Sequence, residues 1–117
     1  LLTDNEIIFG STRNGLIALD SQTFDVKWKF NTNSALVLSS PYSGKHSATI
    51  ETSPILAGNT VYVGASDGMI YGVNKGNGQL VWKYVTGAPI FSSVAISGNA
   101  LIATDFGGNV YTFVTQE

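Results

Sequence analysis

At 117 residues, 44% of them apolar, the chain is long enough for one domain of ordinary size. Charged residues make up only 12% and the net charge is −2, so no basic stripe exists; this argues against nucleic acid, which needs clustered Lys and Arg. Without cysteine there is no disulfide framework or thiolate metal site, the single His46 cannot build a multi-histidine site, and no apolar run approaches a membrane helix. No leader-type start is visible, and the first residue is Leu rather than Met. Either a leader was removed or the chain is a piece of something longer, and the compartment stays open.

Taken in order, Leu1 to Asn5 align with Ile55 to Asn59 and with Ala95 to Asn99. In the two later copies a strand precedes a Gly-Asn pair suited to positive φ in a tight hairpin. The first copy has only the last residues of that strand, as expected of a cut fragment. Strands are then predicted over 6–10 and 15–19, joined by Ser11 to Gly15. Asp20 opens a turn in which its carboxylate accepts backbone N–H groups, and a strand over 25–31 carries Trp28. The second copy repeats this near 60–65, 69–74 and 79–86, with Asn74 in the place of Asp20 and Asn77-Gly78 as the strongest hairpin signal. Strands near 52–56 and 91–96 supply a fourth member, and 100–104 and 109–114 begin a third copy. No segment sustains a 3.6-residue apolar period, so the chain is all-β.

Trp82 follows Trp28 by 54 residues, whereas Ser93 follows Ser53 by 40. The basic repeat is therefore about 40 residues, the length of a four-stranded antiparallel propeller blade. The units run approximately 1–51, 52–90 and 91–117, and residues 36–49 form an insertion between the first and the second. A free-standing sandwich would also show short alternating strands, but not tryptophans in register within repeated units. One blade cannot bury both faces of its sheet, so blades must stack on their neighbours.

These residues resemble the PQQ-like (quinoprotein) β-propeller repeats, whose docking motif runs Ala-x-Asp-x-x-Thr-Gly-x-x-x-Trp. Ala18, Asp20, Thr23 and Trp28 match it, with Phe24 in place of the glycine. In the second copy Gly78 and Trp82 match, while Gly72, Asn74 and Asn77 replace the alanine, aspartate and threonine. The resemblance implies a partial propeller in which each tryptophan packs flat on the neighbouring blade, and a larger ring of six to eight blades of which this chain is the C-terminal part. In many such proteins a strand from the N-terminal end completes the last blade. Remaining blades or self-association are therefore expected to finish the fold.

In a propeller the links between blades and the hairpins of the two middle strands share one face near the channel. That face is expected to carry Arg13, Asn14, Tyr42, Lys45, His46, Asp67, Asp105 and Phe106 as a partner or ligand surface. Each of these taken singly also reads as an ordinary loop residue, and Asn14-Gly15 and Asp67-Gly68 as turn formers. No calcium-loop spacing accompanies the aspartates. Asp105-Phe106-Gly107 spells a kinase tripeptide without any companion motif, and no nucleophile elbow occurs. The insertion begins with Leu36, Val37 and Leu38 and continues through Pro41, Tyr42, Lys45 and His46. It is expected to project over the channel-end face and to meet a partner together with Arg13 and Asp67.

The family resemblance implies three functions. The first is a non-catalytic propeller that scaffolds or recognises a protein or a carbohydrate, similar to bacterial outer-membrane assembly lipoproteins and extracytoplasmic sensor modules. The second is part of a quinone-dependent alcohol or sugar dehydrogenase, the one case in which PQQ with calcium is expected. The third is an accessory propeller of a hydrolase or kinase. The first is preferred, with no cofactor and a periplasmic, outer-membrane-anchored or extracellular location in a bacterium.

Overall fold

Ten strands, none longer than six residues, make up the regular structure, and no helix occurs among the described residues. The computed structural model describes residues 1–11, 15–32, 50, 52–90 and 93–114. Three antiparallel sheets follow one another along the chain. The first has the order β1 (Glu6–Gly10), β2 (Leu16–Asp20), β3 (Val26–Phe30). The second has four strands, β4 (Ile55–Ala57), β5 (Thr60–Gly64), β6 (Met69–Asn74) and β7 (Leu80–Val85), paired in sequence order. The third pairs β8 (Ala95–Ser97), β9 (Ala100–Thr104) and β10 (Val110–Val114). The fold is that of β-propeller blades, each sheet a meander of neighbouring strands.

The inner strands are shorter than the sequence pattern suggested. β4 begins at Ile55 rather than near 52, because Pro54 has no N–H to give the ladder and the Thr52 hydroxyl donates sideways to Gly64 O at 2.8 Å. β8 likewise begins only at Ala95. In the first sheet the inner strand is reduced to an isolated bridge between Leu2 and Ile7.

The repeat is exact enough to reproduce irregularities. Opposite the Ala18–Leu19 step Lys27 is an extra residue, and opposite Gly72–Val73 Val81 is the equivalent one, so both outer strands carry a bulge beside their tryptophan. The turns before these strands are also alike. Asp20 Oδ1 accepts the N–H groups of Gln22 and Thr23 at 2.8 and 3.0 Å, and Asn74 Oδ1 accepts those of Gly76 and Asn77 at 2.8 and 3.3 Å. These bonds hold the Asp20 carboxyl below its ordinary range, the Thr23 and then the Gln22 amide being the largest causes. Each turn ends in a left-handed residue. It is Gly78 in the second unit at φ 72°, and in the first it is Phe24 at φ 62°. Phe24 stands where the repeat pattern has glycine and adopts the glycine conformation, at a cost of about 1–2 kcal/mol.

Two apolar layers lie between the three sheets. Ile8, Leu16, Ala18 and Trp28 of the first sheet pack with Val61, Val63, Tyr71 and Val73 of the second. Ile70 and Trp82, on the other face of the second sheet, pack with Leu101, Ala103 and Phe113 of the third. The links between sheets are pinned by one repeated device. Ile50 sits on Gly10, where an added Cβ would come within 2.5 Å of its side chain, and Ile90 sits on Gly64 in the same way. Their amides donate to Ser11 O and Ala65 O, both at 3.0 Å.

Candidate partner-binding face

The face in question is built from hairpin ends. Strands β5 and β6 are joined by Ala65 to Gly68, and β9 and β10 by Asp105 to Asn109. A hairpin tip exposes backbone to water unless a side chain ties it down, and an aspartate beside glycine does this. Asp67 Oδ1 accepts the Met69 N–H at 3.0 Å, and its Oδ2 accepts the hydroxyl of Tyr71. Asp105 Oδ1 accepts the Asn109 N–H at 3.0 Å, and its Oδ2 accepts the hydroxyl of Tyr111 at 2.7 Å. The Asn109 side-chain amide adds donors at 3.3 and 3.2 Å.

Both carboxylates are therefore buried and clamped by a tyrosine from the returning strand. The Tyr111 hydroxyl, then the Asn109 amide, hold the Asp105 carboxyl below its usual range. The same bond to a negative partner pushes the Tyr111 phenol up. The tyrosines follow the repeat, 40 residues apart, but the aspartates do not, being 38 apart. The two hairpins reach one clamp from different positions. In the second unit this leaves Ser66 buried next to its aspartate, whereas in the third Phe106 is exposed.

The link between the second and third sheets passes across these hairpins. Thr86 donates from its N–H and hydroxyl to Gly68 O at 2.8 and 2.9 Å, and Phe106 N–H donates to Pro89 O at 2.7 Å. Tyr111 also reaches Thr86 O at 3.4 Å. Hairpins and link thus form one continuous surface carrying Asp67, Asp105 and Phe106. Arg13, Asn14, Tyr42, Lys45, His46 and the insertion 36–49 lie outside the described residues.

The docking residues meet at the other end of the strands. Trp28 is 7% exposed, lies beside the cross-strand Ala18, and donates from Nε1 to Lys75 O at 2.8 Å in the next unit. Its ring rests on Gly78, where an added Cβ would come within 2.5 Å of ring carbons. Asp20 and Thr23 shape the turn that leads into the Trp28 strand, the Thr23 hydroxyl accepting the Asp25 N–H at 3.3 Å. Trp82, opposite Gly72, is only half-buried and sits edge-on to Tyr62 and Phe113 at centroid distances of 6.1 and 5.0 Å. Beside it, between the second and third sheets, is an open wedge of about 870 Å³ lined by Tyr62, Ile96, Leu101 and Phe113.

A family model described as outer membrane protein assembly factor BamB matches residues 1–117. The chain belongs to this family. Outer membrane protein assembly factor BamB of Yersinia pestis is 29% identical over 102 residues, which are 86% of this chain and 25% of that protein. The chain thus spans about a quarter of the curated relative it matches. Among solved structures, BamB from Moraxella catarrhalis superposes with a TM-score of 0.68 at 20% identity, over 97% of this chain and 30% of that one. Quinohemoprotein alcohol dehydrogenase ADHIIG from Pseudomonas putida HK5 superposes at 0.75 with 19% identity, over 97% of this chain and 18% of that one. Likeness at such identities shows a shared propeller fold and no more.

The quinone fold relatives raise the question of a calcium-held quinone. A calcium ion needs six to eight oxygen ligands. Among the described residues no group of three or more His, Asp or Glu converges. The two hairpin carboxylates, moreover, have oxygens bonded to Tyr71 and Tyr111. The described residues therefore do not supply the ligand set of a calcium ion.

Proposed function

We propose that the chain is a non-catalytic, protein-binding part of a bacterial extracytoplasmic propeller that serves outer-membrane assembly. The observation that carries this reading is the family match along all 117 residues. The geometry supports it because hydrogen bonds from Asp67 and Asp105 tie down the two hairpin tips. Asp67 and Asp105 act as clamps that hold the tips, so that neighbouring side chains are presented at fixed positions at little entropic cost on binding.

In this reading Arg13, Tyr42, Lys45 and His46 supply contacts, together with the apolar start of the insertion at Leu36 to Leu38. The second unit passes to the third without a counterpart of residues 36–49, so the fold does not require them. Closure entropy opposes such an insertion by only about 0.6 kcal/mol per doubling of loop length. The test is made on the complete protein of its host, by quantitative co-purification with the outer-membrane assembly proteins. Deleting 36–49 is expected to abolish co-purification while the melting temperature stays within a few degrees. Retained binding, or loss of the fold, removes the insertion from the site.

A further inference from the structure

The turn that closes over Trp28 carries an Asn-Gly pair with chemistry of its own. Asn77 is exposed and is followed by Gly78, which is buried against the Trp28 ring. Asn77 Oδ1 accepts the Gln79 N–H at 2.9 Å, which holds the side-chain amide against the backbone that follows it. The same bond draws electrons from Cγ and makes it the better electrophile. Gly78 has no side chain to shield its own nitrogen from Cγ. That nitrogen is engaged, however, since its N–H donates to Asn74 O at 2.8 Å. The equivalent turn of the first unit has the same hydrogen-bonded shape but carries Thr23 and Phe24, where this chemistry is closed.

We infer that Asn77 is a site of spontaneous deamidation, held back by the Trp28 contact and destructive of that contact once it occurs. When the turn opens, the Gly78 nitrogen bonds to Asn77 Cγ and gives up its proton, the Cγ–Nδ2 bond breaks, and ammonia leaves. One water then opens the cyclic imide, at Cγ to give aspartate or at the main-chain carbonyl to give isoaspartate. Water is the sole co-reactant. Isoaspartate lengthens the backbone by one carbon beside Gly78. The closed layer has no room for it, because even an added Cβ at Gly78 would come within 2.5 Å of Trp28 ring carbons. Trp28 Nε1 also bonds Lys75 O at 2.8 Å, so the ring restrains both ends of the segment that must open. The inference does not depend on the proposed partner or on the insertion.

The test is ageing of the complete protein at mildly alkaline pH, read by peptide mass and by isoaspartyl methyltransferase labelling. The peptide holding Asn77 is expected to gain the acid mass and to accept label, more slowly than in urea-unfolded protein. Trp28→Phe removes the Nε1 donor but keeps a ring on Gly78. It should speed conversion about two- to tenfold, the factor that one lost hydrogen bond adds to opening. The converted fraction should melt lower and exchange amides faster over Val26–Phe30. Asn77→Thr, which installs the first unit's residue, should age without either change. Asn77 left intact while unfolded protein converts overturns the inference, as does a Trp28→Phe rate equal to that of the unmodified protein. So does converted protein with unchanged melting, or an Asn77→Thr protein that loses stability on ageing as fast. Where Trp28→Phe does not fold, the Asn77→Thr comparison decides.

Discussion

The two layers between sheets use the same tryptophan at the same register, yet one is closed and the other open. At the first, Trp28 is sealed by the turn of the next unit, with Gly78 against its ring and Lys75 O bonded to its Nε1. An ion pair between the buried Glu6 and the exposed Lys27, at 2.7 Å, lies at its rim. At the second, Val81 replaces Lys27 and Thr60 replaces Glu6, and Trp82 leans on a cluster of rings from Tyr62, Tyr84 and Phe113 beside the wedge. At the closed layer the Trp28 ring is covered by backbone of the following unit and not by side chains alone. The missing Cβ of Gly78 is what lets that backbone approach the ring.

The largest expected effect falls on the closed layer. Trp28→Ala should cost about 3–5 kcal/mol through lost contacts and a cavity. Gly78→Ala should cost roughly as much as moderate overpacking plus a left-handed alanine, about 2–5 kcal/mol. The two should be far from additive, because both remove one contact. Denaturant unfolding of the two single variants and the double variant checks this, and additive losses would break the proposed seal.

At the open layer Trp82→Ala should cost less, about 1–3 kcal/mol, since the ring is already half in water. A loss equal to that of Trp28→Ala in the same titration would mean that the wedge is covered in solution and the contrast is false.

Acid sharpens the contrast differently. The Lys27 hydrogen bond is the largest cause holding the Glu6 carboxyl below the ordinary carboxylate range, against an opposing push from burial. A carboxyl lowered in the folded state stabilises above its unfolded pKa and loses that contribution as pH falls through the folded one. Melting temperature should therefore drop as pH falls below about 4.5, and Glu6→Gln should flatten part of that limb. Asp20 is lowered as well and leaves a residual slope. An unchanged acid limb in Glu6→Gln would show that the ion pair contributes nothing to the closed layer.

The smallest effect is a gain. Phe24 is exposed and left-handed, so Phe24→Gly removes strain but adds unfolded-chain entropy, for a net stabilisation of about 0.5–1 kcal/mol. A destabilised Phe24→Gly variant would mean that the ring packs usefully.

Much of the architecture is legible because it depends on neighbours in sequence. The Asn77-Gly78 turn, the Asp20 turn and the alternation in Thr60–Gly64 each act within a few residues. The pins on the links were missed, although Ile50 and Ile90 stand 40 residues apart, because an isoleucine over a glycine carries no local signature. The tyrosine clamps were missed for a related reason. Tyr71 and Tyr111 repeat, but their aspartates slip by two positions, and only the folded hairpin shows the same bond made from two registers.

The sequence by itself determined the strands, the 40-residue period and the need of each unit for a neighbour, since propensity, turn chemistry and apolar alternation are local. Only the tertiary structure decided which glycine meets the Trp28 ring and which carboxylates are clamped. Those outcomes depend on groups dozens of residues apart meeting across a sheet, where a missing Cβ or a shift of two residues changes what can touch.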